Sequence, residues 1–204
     1  MIETERPQTP QSEPAIMNLP NQLTFSRLVL AIILFGLIVA EGWLWALFVF
    51  ALAAVTDWLD GYFARKHKLS SSLGRVFDPL VDKVLICGAY IFLLGLPYAR
   101  SGLMPWMVTV VVARELIING LRSYLESKGV LFGADWLGKI KMVLQCAALT
   151  AIFVALYALE AWASADVLIL IRNILVWAML AATALSGLQY LAKACVILKE
   201  EARR

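Results

Sequence analysis

The sequence predicts an all-α fold, a polytopic membrane protein of six transmembrane helices with a polar cavity open to the cytoplasm. Three observations predict it. Of the 204 residues, 61% are hydrophobic and only 16% charged, where a soluble domain carries roughly 25% charged residues. The apolar residues gather into six windows of helical length. The cations gather in alternate links between those windows, as the positive-inside rule requires of a chain that crosses a bilayer repeatedly.

The chain opens on a tail, residues 1–20, rich in Pro, Gln and Glu and expected to be flexible or interfacial. A helical domain fills residues 21–199, and 200–204 form a basic tail. The apolar windows place helices at about 22–40, 43–64, 82–98, 105–124, 137–159 and 167–197. The last is longer than a bilayer needs, so it tilts or emerges into water. Pro79 complicates the start of the third helix, because proline prefers a first turn and biases its predecessor away from helix. That helix is expected to start near Asp78 or a few residues earlier.

Short links join the first helix to the second, the third to the fourth and the fifth to the sixth. The other links are longer and basic, with Arg65, Lys66, Lys68 and Arg75 in one, and Arg122, Lys128, Lys139 and Lys141 flanking the other. Lys193, Lys199, Arg203 and Arg204 close the chain. This places both termini and both basic links in the cytoplasm. Trp43, Trp45, Tyr98, Trp106 and Trp162 are expected to form an aromatic belt on the far side. Cys87, Cys146 and Cys195 lie in apolar stretches without paired spacing and read as buried small hydrophobes. The net charge of +3 is mild, and no nucleic-acid partner is expected.

Against this apolar background stands Asp57 to Arg65, DWLDGYFAR, followed by Asp78 and Asp82. Asp57, Asp60, Gly61 and Ala64 share one helical face. A carboxylate at the centre of a membrane helix costs about 2.5–3.5 kcal/mol on insertion scales, so four near one interface need a purpose. Converging carboxylates repel in a low dielectric, and hard divalent cations, Mg2+ or Mn2+, are the natural neutralisers. With His67 the sole histidine and no cysteine cluster nearby, zinc is disfavoured. Two such ions form a recurrent clamp for phosphoryl-type displacement, leaving one carboxylate as a general base. Aspartates of this kind also serve as proton relays or transport sites, and a divalent-cation transporter is the alternative from another class.

The run DWLDGYFARKHKLSSSLGRVFDPLVD resembles the signature of the CDP-alcohol phosphatidyltransferase family, DxxDGxxAR, eight residues, then GxxxDxxxD. Asp57, Asp60, Gly61, Ala64, Arg65, Gly74, Asp78 and Asp82 fill its fixed positions. The resemblance implies a six-helix membrane enzyme, commonly homodimeric, that joins a CDP-activated lipid to an alcohol and releases CMP. It implies that Asp57, Asp60 and Asp78 are chiefly ligands of two divalent cations. Asp82 is then the base and also touches a metal. Gly61, Ala64 and Gly74 admit the cytidine nucleotide, with Asp57, Asp60, Asp78 and Arg65 on its phosphate side. The residue chemistry agrees. Small residues let a base and pyrophosphate approach backbone, and arginine presents a planar fork to phosphate.

Three further segments resemble the branch of the family that makes phosphatidylglycerophosphate. They are NLPNQLTFSR with Asn21, Thr24 and Arg27, ARELIINGLR with Arg114, Glu115 and Arg122, and GKIKMVLQ with Gly138, Lys139, Lys141 and Gln145. Met142 stands where that branch often carries threonine. Arg114 and Arg122 fall near one helical face, and Lys139 and Lys141 begin the next helix. Cations beside an acidic metal site bind a phosphate that the aspartates alone would repel. The expected substrates are therefore CDP-diacylglycerol and sn-glycerol 3-phosphate, held through Arg114, Arg122, Lys139 and Lys141. A related transferase that takes inositol phosphate would need the same cations.

Overall fold

The computed structural model describes residues 19–67, 72–128, 136–161 and 165–201; within its helices the side chains of 19–24, 57–67, 72–79, 198, 200 and 201 fall outside the described set. The described segments fold into seven helices: α1 (Leu19–Val39), α2 (Trp43–His67), α3 (Ser72–Leu93), α4 (Tyr98–Ser101), α5 (Pro105–Ser127), α6 (Trp136–Ala161) and α7 (Asp166–Glu201). Six are long, and α4 is a single turn inside the link expected between the third and fourth helices. Among the described residues, two helices are long and apolar enough to cross a membrane, Trp136–Ala161 with mean hydropathy 2.2 and Asp166–Ile197 with 2.0. Phe25–Val39 and Trp43–Thr56 are shorter apolar stretches.

The helices show their apolar side outward as well as inward. Phe25, Ile32, Phe48, Leu116, Val143, Val167 and Leu188 are each at least 60% exposed. Water would not tolerate such a continuous surface, whereas lipid matches it. The interior is drier still, with Leu34, Phe50, Ala89, Val111, Leu149, Ile152, Phe153 and Met179 buried together. Around this core α1 packs on α2 and α3, α6 packs on α7 and α2, and α5 packs on α7. Small residues set the closest approach. A Cβ added at Gly88 would lie 2.2 Å from the Phe35 ring tip, and Phe35 stacks on Phe92 with ring centroids 4.7 Å apart.

At one end of the bundle the short links are tied together. Glu41 takes a positive φ of 55° as the chain turns from α1 into α2. Trp43 donates through Nε1 to Glu160 at 2.6 Å, and Arg100 donates to Glu41 at 2.7 Å. Arg172, buried on α7, donates to the Arg100 carbonyl at 2.6 Å and packs against Gly102, whose φ is 71°. Trp43 is thus a core residue rather than part of an aromatic belt, because its indole N–H finds the Glu160 carboxylate. Trp45, Tyr98 and Trp106 are exposed as expected; Trp162 lies outside the described residues.

Two other expectations are corrected. Helix α3 begins at Ser72, so Pro79 lies inside it; the loss of one backbone donor there does not stop the helix. Cys195 is exposed, and Cys87 and Cys146 are only half-buried.

Candidate active site

The end opposite the Trp43–Glu160 tie is where the predicted chemistry lies. Helix α2 leaves that tie at Trp43, and at 1.5 Å per residue it has risen about 21 Å by Asp57 and about 33 Å by Arg65. Asp57, Asp60, Gly61, Ala64 and Arg65 therefore occupy its far turns, and Gly74 and Asp78 the first turns of α3. Their side chains lie outside the described residues, as do those of Asn21 and Thr24 on α1. Asp82, one turn beyond Asp78, is described. It accepts a hydrogen bond from Nη1 of Arg27 in an ion pair that joins α3 to α1. Arg27 is buried, so the last residue of the NLPNQLTFSR segment reaches the predicted base directly.

Beside Asp82 opens a cavity of about 310 Å3. Each wall is a helical stripe of residues three or four apart: Asp82, Lys83, Ile86 and Cys87 from α3, Arg114, Ile118 and Arg122 from α5, Gly138, Lys141, Met142 and Gln145 from α6, and Tyr190 from α7. All four predicted acceptor cations, Arg114, Arg122, Lys139 and Lys141, line it. The two carboxylates in the wall are already paired, Asp82 with Arg27 and the buried Glu115 with the buried Lys141. Lys83, Arg114, Arg122 and Lys139 then leave the cavity with a cationic excess. A low-dielectric pocket of that charge attracts an anion of small size.

The two arginines are held from α7. Arg114 donates through Nη2 to Ser186 at 3.1 Å, lies 3.4 Å from Glu115, and passes over α7 where Gly187 leaves room for its stem, an added Cβ there meeting Arg114 Cγ at 3.1 Å. Arg122 donates through Nη2 to the Tyr190 hydroxyl at 3.2 Å. Among the described residues, the buried Nε atoms of both arginines and Nε2 of Gln145 make no hydrogen bond. Lys141 is buried rather than snorkelling to a membrane surface, which separates it from an ordinary positive-inside anchor.

Ser186 and Tyr190 escaped the sequence reading. Both sit in the long apolar run of α7, and only their spacing of four residues hints that they share a face. Glu115 and Lys141 were both visible, but their pairing was not.

The sequence profile of the CDP-alcohol phosphatidyltransferases matches residues 17–186. The chain belongs to that family. Three relatives are each named a CDP-diacylglycerol–glycerol-3-phosphate 3-phosphatidyltransferase. The chain is 35% identical to the one from Bacillus subtilis over 153 residues, covering 67% of this chain and 77% of that protein. It is 36% identical to the Cereibacter sphaeroides protein over 143 residues, 67% of this chain and 63% of that one. It is 32% identical to the Rickettsia felis protein over 181 residues, 87% of this chain and 95% of that one. The family match runs from the segment just before α1 through Ser186, so it spans every aspartate of the signature and the cationic walls contributed by α3, α5 and α6. Tyr190 lies beyond it.

Proposed function

We propose that this CDP-alcohol phosphatidyltransferase moves the phosphatidyl group of CDP-diacylglycerol to sn-glycerol 3-phosphate, giving phosphatidylglycerophosphate and CMP. The observation that carries this reading is the cationic cavity of α3, α5 and α6 opening beside Asp82. It provides a place for an acceptor phosphate within reach of a base. The names of the relatives favour glycerol 3-phosphate over inositol phosphate as the acceptor.

Arg114, Arg122, Lys139 and Lys141 bind the acceptor phosphate and orient the 1-hydroxyl towards Asp82. Asp82 takes the hydroxyl proton while Arg27 fixes the carboxylate in place. The freed oxygen attacks the β-phosphorus of CDP-diacylglycerol. The bond from that phosphorus to the oxygen of the CMP phosphate breaks, and CMP departs with the electron pair. Gly61, Ala64 and Gly74 give the nucleotide room along α2 and α3, and Arg65 binds its phosphate side.

The donor set, carboxylates on two helices at the same end of the bundle, fits hard divalent ions. Asp57, Asp60, Asp78 and Asp82 would hold two Mg2+ or Mn2+ ions, which when bound neutralise charge on the pyrophosphate and on the departing CMP.

In this reading all six long helices span the inner membrane of a bacterium, with both termini and the cavity on the cytoplasmic side. The acyl chains of the lipid stay among the exposed apolar faces. The protein acts as a homodimer. The test is CMP release by purified protein with CDP-diacylglycerol and Mg2+ or Mn2+, comparing sn-glycerol 3-phosphate, inositol 1-phosphate and no acceptor. Release that depends on glycerol 3-phosphate supports the assignment, and release only with inositol phosphate overturns the acceptor. If no acceptor gives CMP but metal flux appears in proteoliposomes, the protein is a cation transporter.

A further inference from the structure

Arg114 and Arg122 approach the same aromatic ring. The Arg114 guanidinium carbon lies 5.6 Å from the Tyr190 ring centroid and that of Arg122 lies 5.8 Å from it. Tyr190 itself is buried at the cavity wall. Two guanidinium groups facing one small cavity repel each other, and that repulsion would splay them towards separate partners. An aromatic ring attracts each through its quadrupole, and the phenolic oxygen takes a hydrogen bond from Arg122 Nη2 at 3.2 Å. One turn earlier on α7, Ser186 takes a hydrogen bond from Arg114 Nη2 at 3.1 Å and itself donates to the Thr183 carbonyl at 3.1 Å. At the α6 side of the ring, a Cβ added to Gly138 would sit 3.4 Å from the Tyr190 hydroxyl. Tyr190 thus lies on α7 at its junction with α5 and α6, against the two walls that carry the acceptor cations.

We propose that Tyr190 is a positioning residue for the phosphate site: its ring and hydroxyl set the spacing and orientation of Arg114 and Arg122 so that both forks address one phosphate. The proposal rests on the acceptor reading given above, and the measurement keeps the two apart.

The experiment compares wild type with Tyr190→Phe, Tyr190→Leu and Ser186→Ala. The first readout is binding of inorganic phosphate and of sn-glycerol 3-phosphate, followed by the shift each causes in thermal unfolding in detergent. The second is the pair of KM values for glycerol 3-phosphate and CDP-diacylglycerol. Loss of the hydroxyl in Tyr190→Phe should weaken phosphate binding about threefold, and loss of the ring as well in Tyr190→Leu about tenfold or more, the span expected for a partly desolvated cation–π pair plus one hydrogen bond. The KM for glycerol 3-phosphate should rise in the same order while that for CDP-diacylglycerol stays within about twofold, since the ring's described contacts are with the arginines of the acceptor wall. A merely structural role would move both KM values, or lower the unfolding midpoint without altering phosphate affinity, and either result overturns the proposal. Should Tyr190→Leu not fold, Tyr190→Phe, which keeps the ring and volume, decides alone: unchanged phosphate affinity there refutes the hydroxyl's part and with it the paired arrangement. Phosphate binding by wild type without any glycerol 3-phosphate turnover would sink the acceptor reading while leaving the arginine geometry testable by binding.

Discussion

Arg27 on α1 and Asp82 on α3, 55 residues apart, form a part-buried ion pair at the rim of the cationic cavity. A carboxylate in that setting needs a fixed counter-charge, and a buried arginine supplies one without occupying the cavity itself. Arg27→Met should therefore destabilise the protein by about 2–3 kcal/mol, because the carboxylate loses this buried counter-charge. The double variant Arg27→Met/Asp82→Asn should recover much of that loss. Thermal unfolding in detergent reads both together with Asp82→Asn alone, and a double-variant loss equal to the sum of the two single losses would show the pair to be uncoupled.

Glu115 and Lys141 are an enclosed pair in the wall of the same cavity. Lys141→Met leaves a buried carboxylate next to Arg114 and should cost about 3 kcal/mol or more. Glu115→Gln/Lys141→Met should fold better than Lys141→Met alone but keep a raised KM for the acceptor. A double variant with normal KM would remove Lys141 from the phosphate site.

At Gly88 two effects compete. Alanine favours helix over glycine by about 1 kcal/mol, but its Cβ would fall 2.2 Å from Phe35, and overpacking costs about 1–3 kcal/mol. Overpacking should win, because Phe35 is held in a stack with Phe92. Gly88→Ala is expected to lower the unfolding midpoint, and Phe35→Leu in the same chain to restore it. Restoration by an unrelated core substitution instead would point away from this contact.

Gly102 combines a φ of 71° with a Cβ direction 2.9 Å from Arg172 Nε. Gly102→Ala should destabilise by about 1–2 kcal/mol through the left-handed backbone alone, with the clash adding to it. The site is at the end opposite the cavity, so the KM for either substrate should stay within about twofold of wild type in the folded fraction. A selective rise in acceptor KM would mean that the two ends are coupled.

Chelation should abolish CMP release, and added Mg2+ or Mn2+ should restore it. Asp78→Asn should lower metal affinity more than Asp82→Asn, while both abolish turnover. Equal loss of metal binding in the two variants would take the role of base away from Asp82.

Long apolar windows made the helices legible in the sequence, and the signature from Asp57 to Asp82 made one end of the bundle legible as chemistry. Arg114 was legible too, since a cation inside an apolar helix calls for a partner. Pairings across distant segments were not. Nothing local in Trp43 distinguishes an interfacial indole from one bonded to Glu160, so the aromatic-belt reading failed there. Nothing local marks Arg172, yet it is buried and fastens the α4 turn. The start of α3 was expected near Asp78 or a few residues earlier because polar SSSLGRVFD and Pro79 mask the helix, which begins at Ser72. Tyr190 and Ser186 read as parts of an apolar run, and their role appears only once α5 is laid against α7.

The most direct test of the central claim is transfer of radiolabelled sn-glycerol 3-phosphate into chloroform-soluble lipid by the purified protein, with CDP-diacylglycerol and Mg2+ or Mn2+ present. Wild type should form labelled phosphatidylglycerophosphate with one CMP per lipid. Asp82→Asn should form none, and Arg114→Met should need a much higher acceptor concentration. Labelled lipid made equally well by Arg114→Met and wild type, or none made by folded, metal-loaded wild type, would contradict the account.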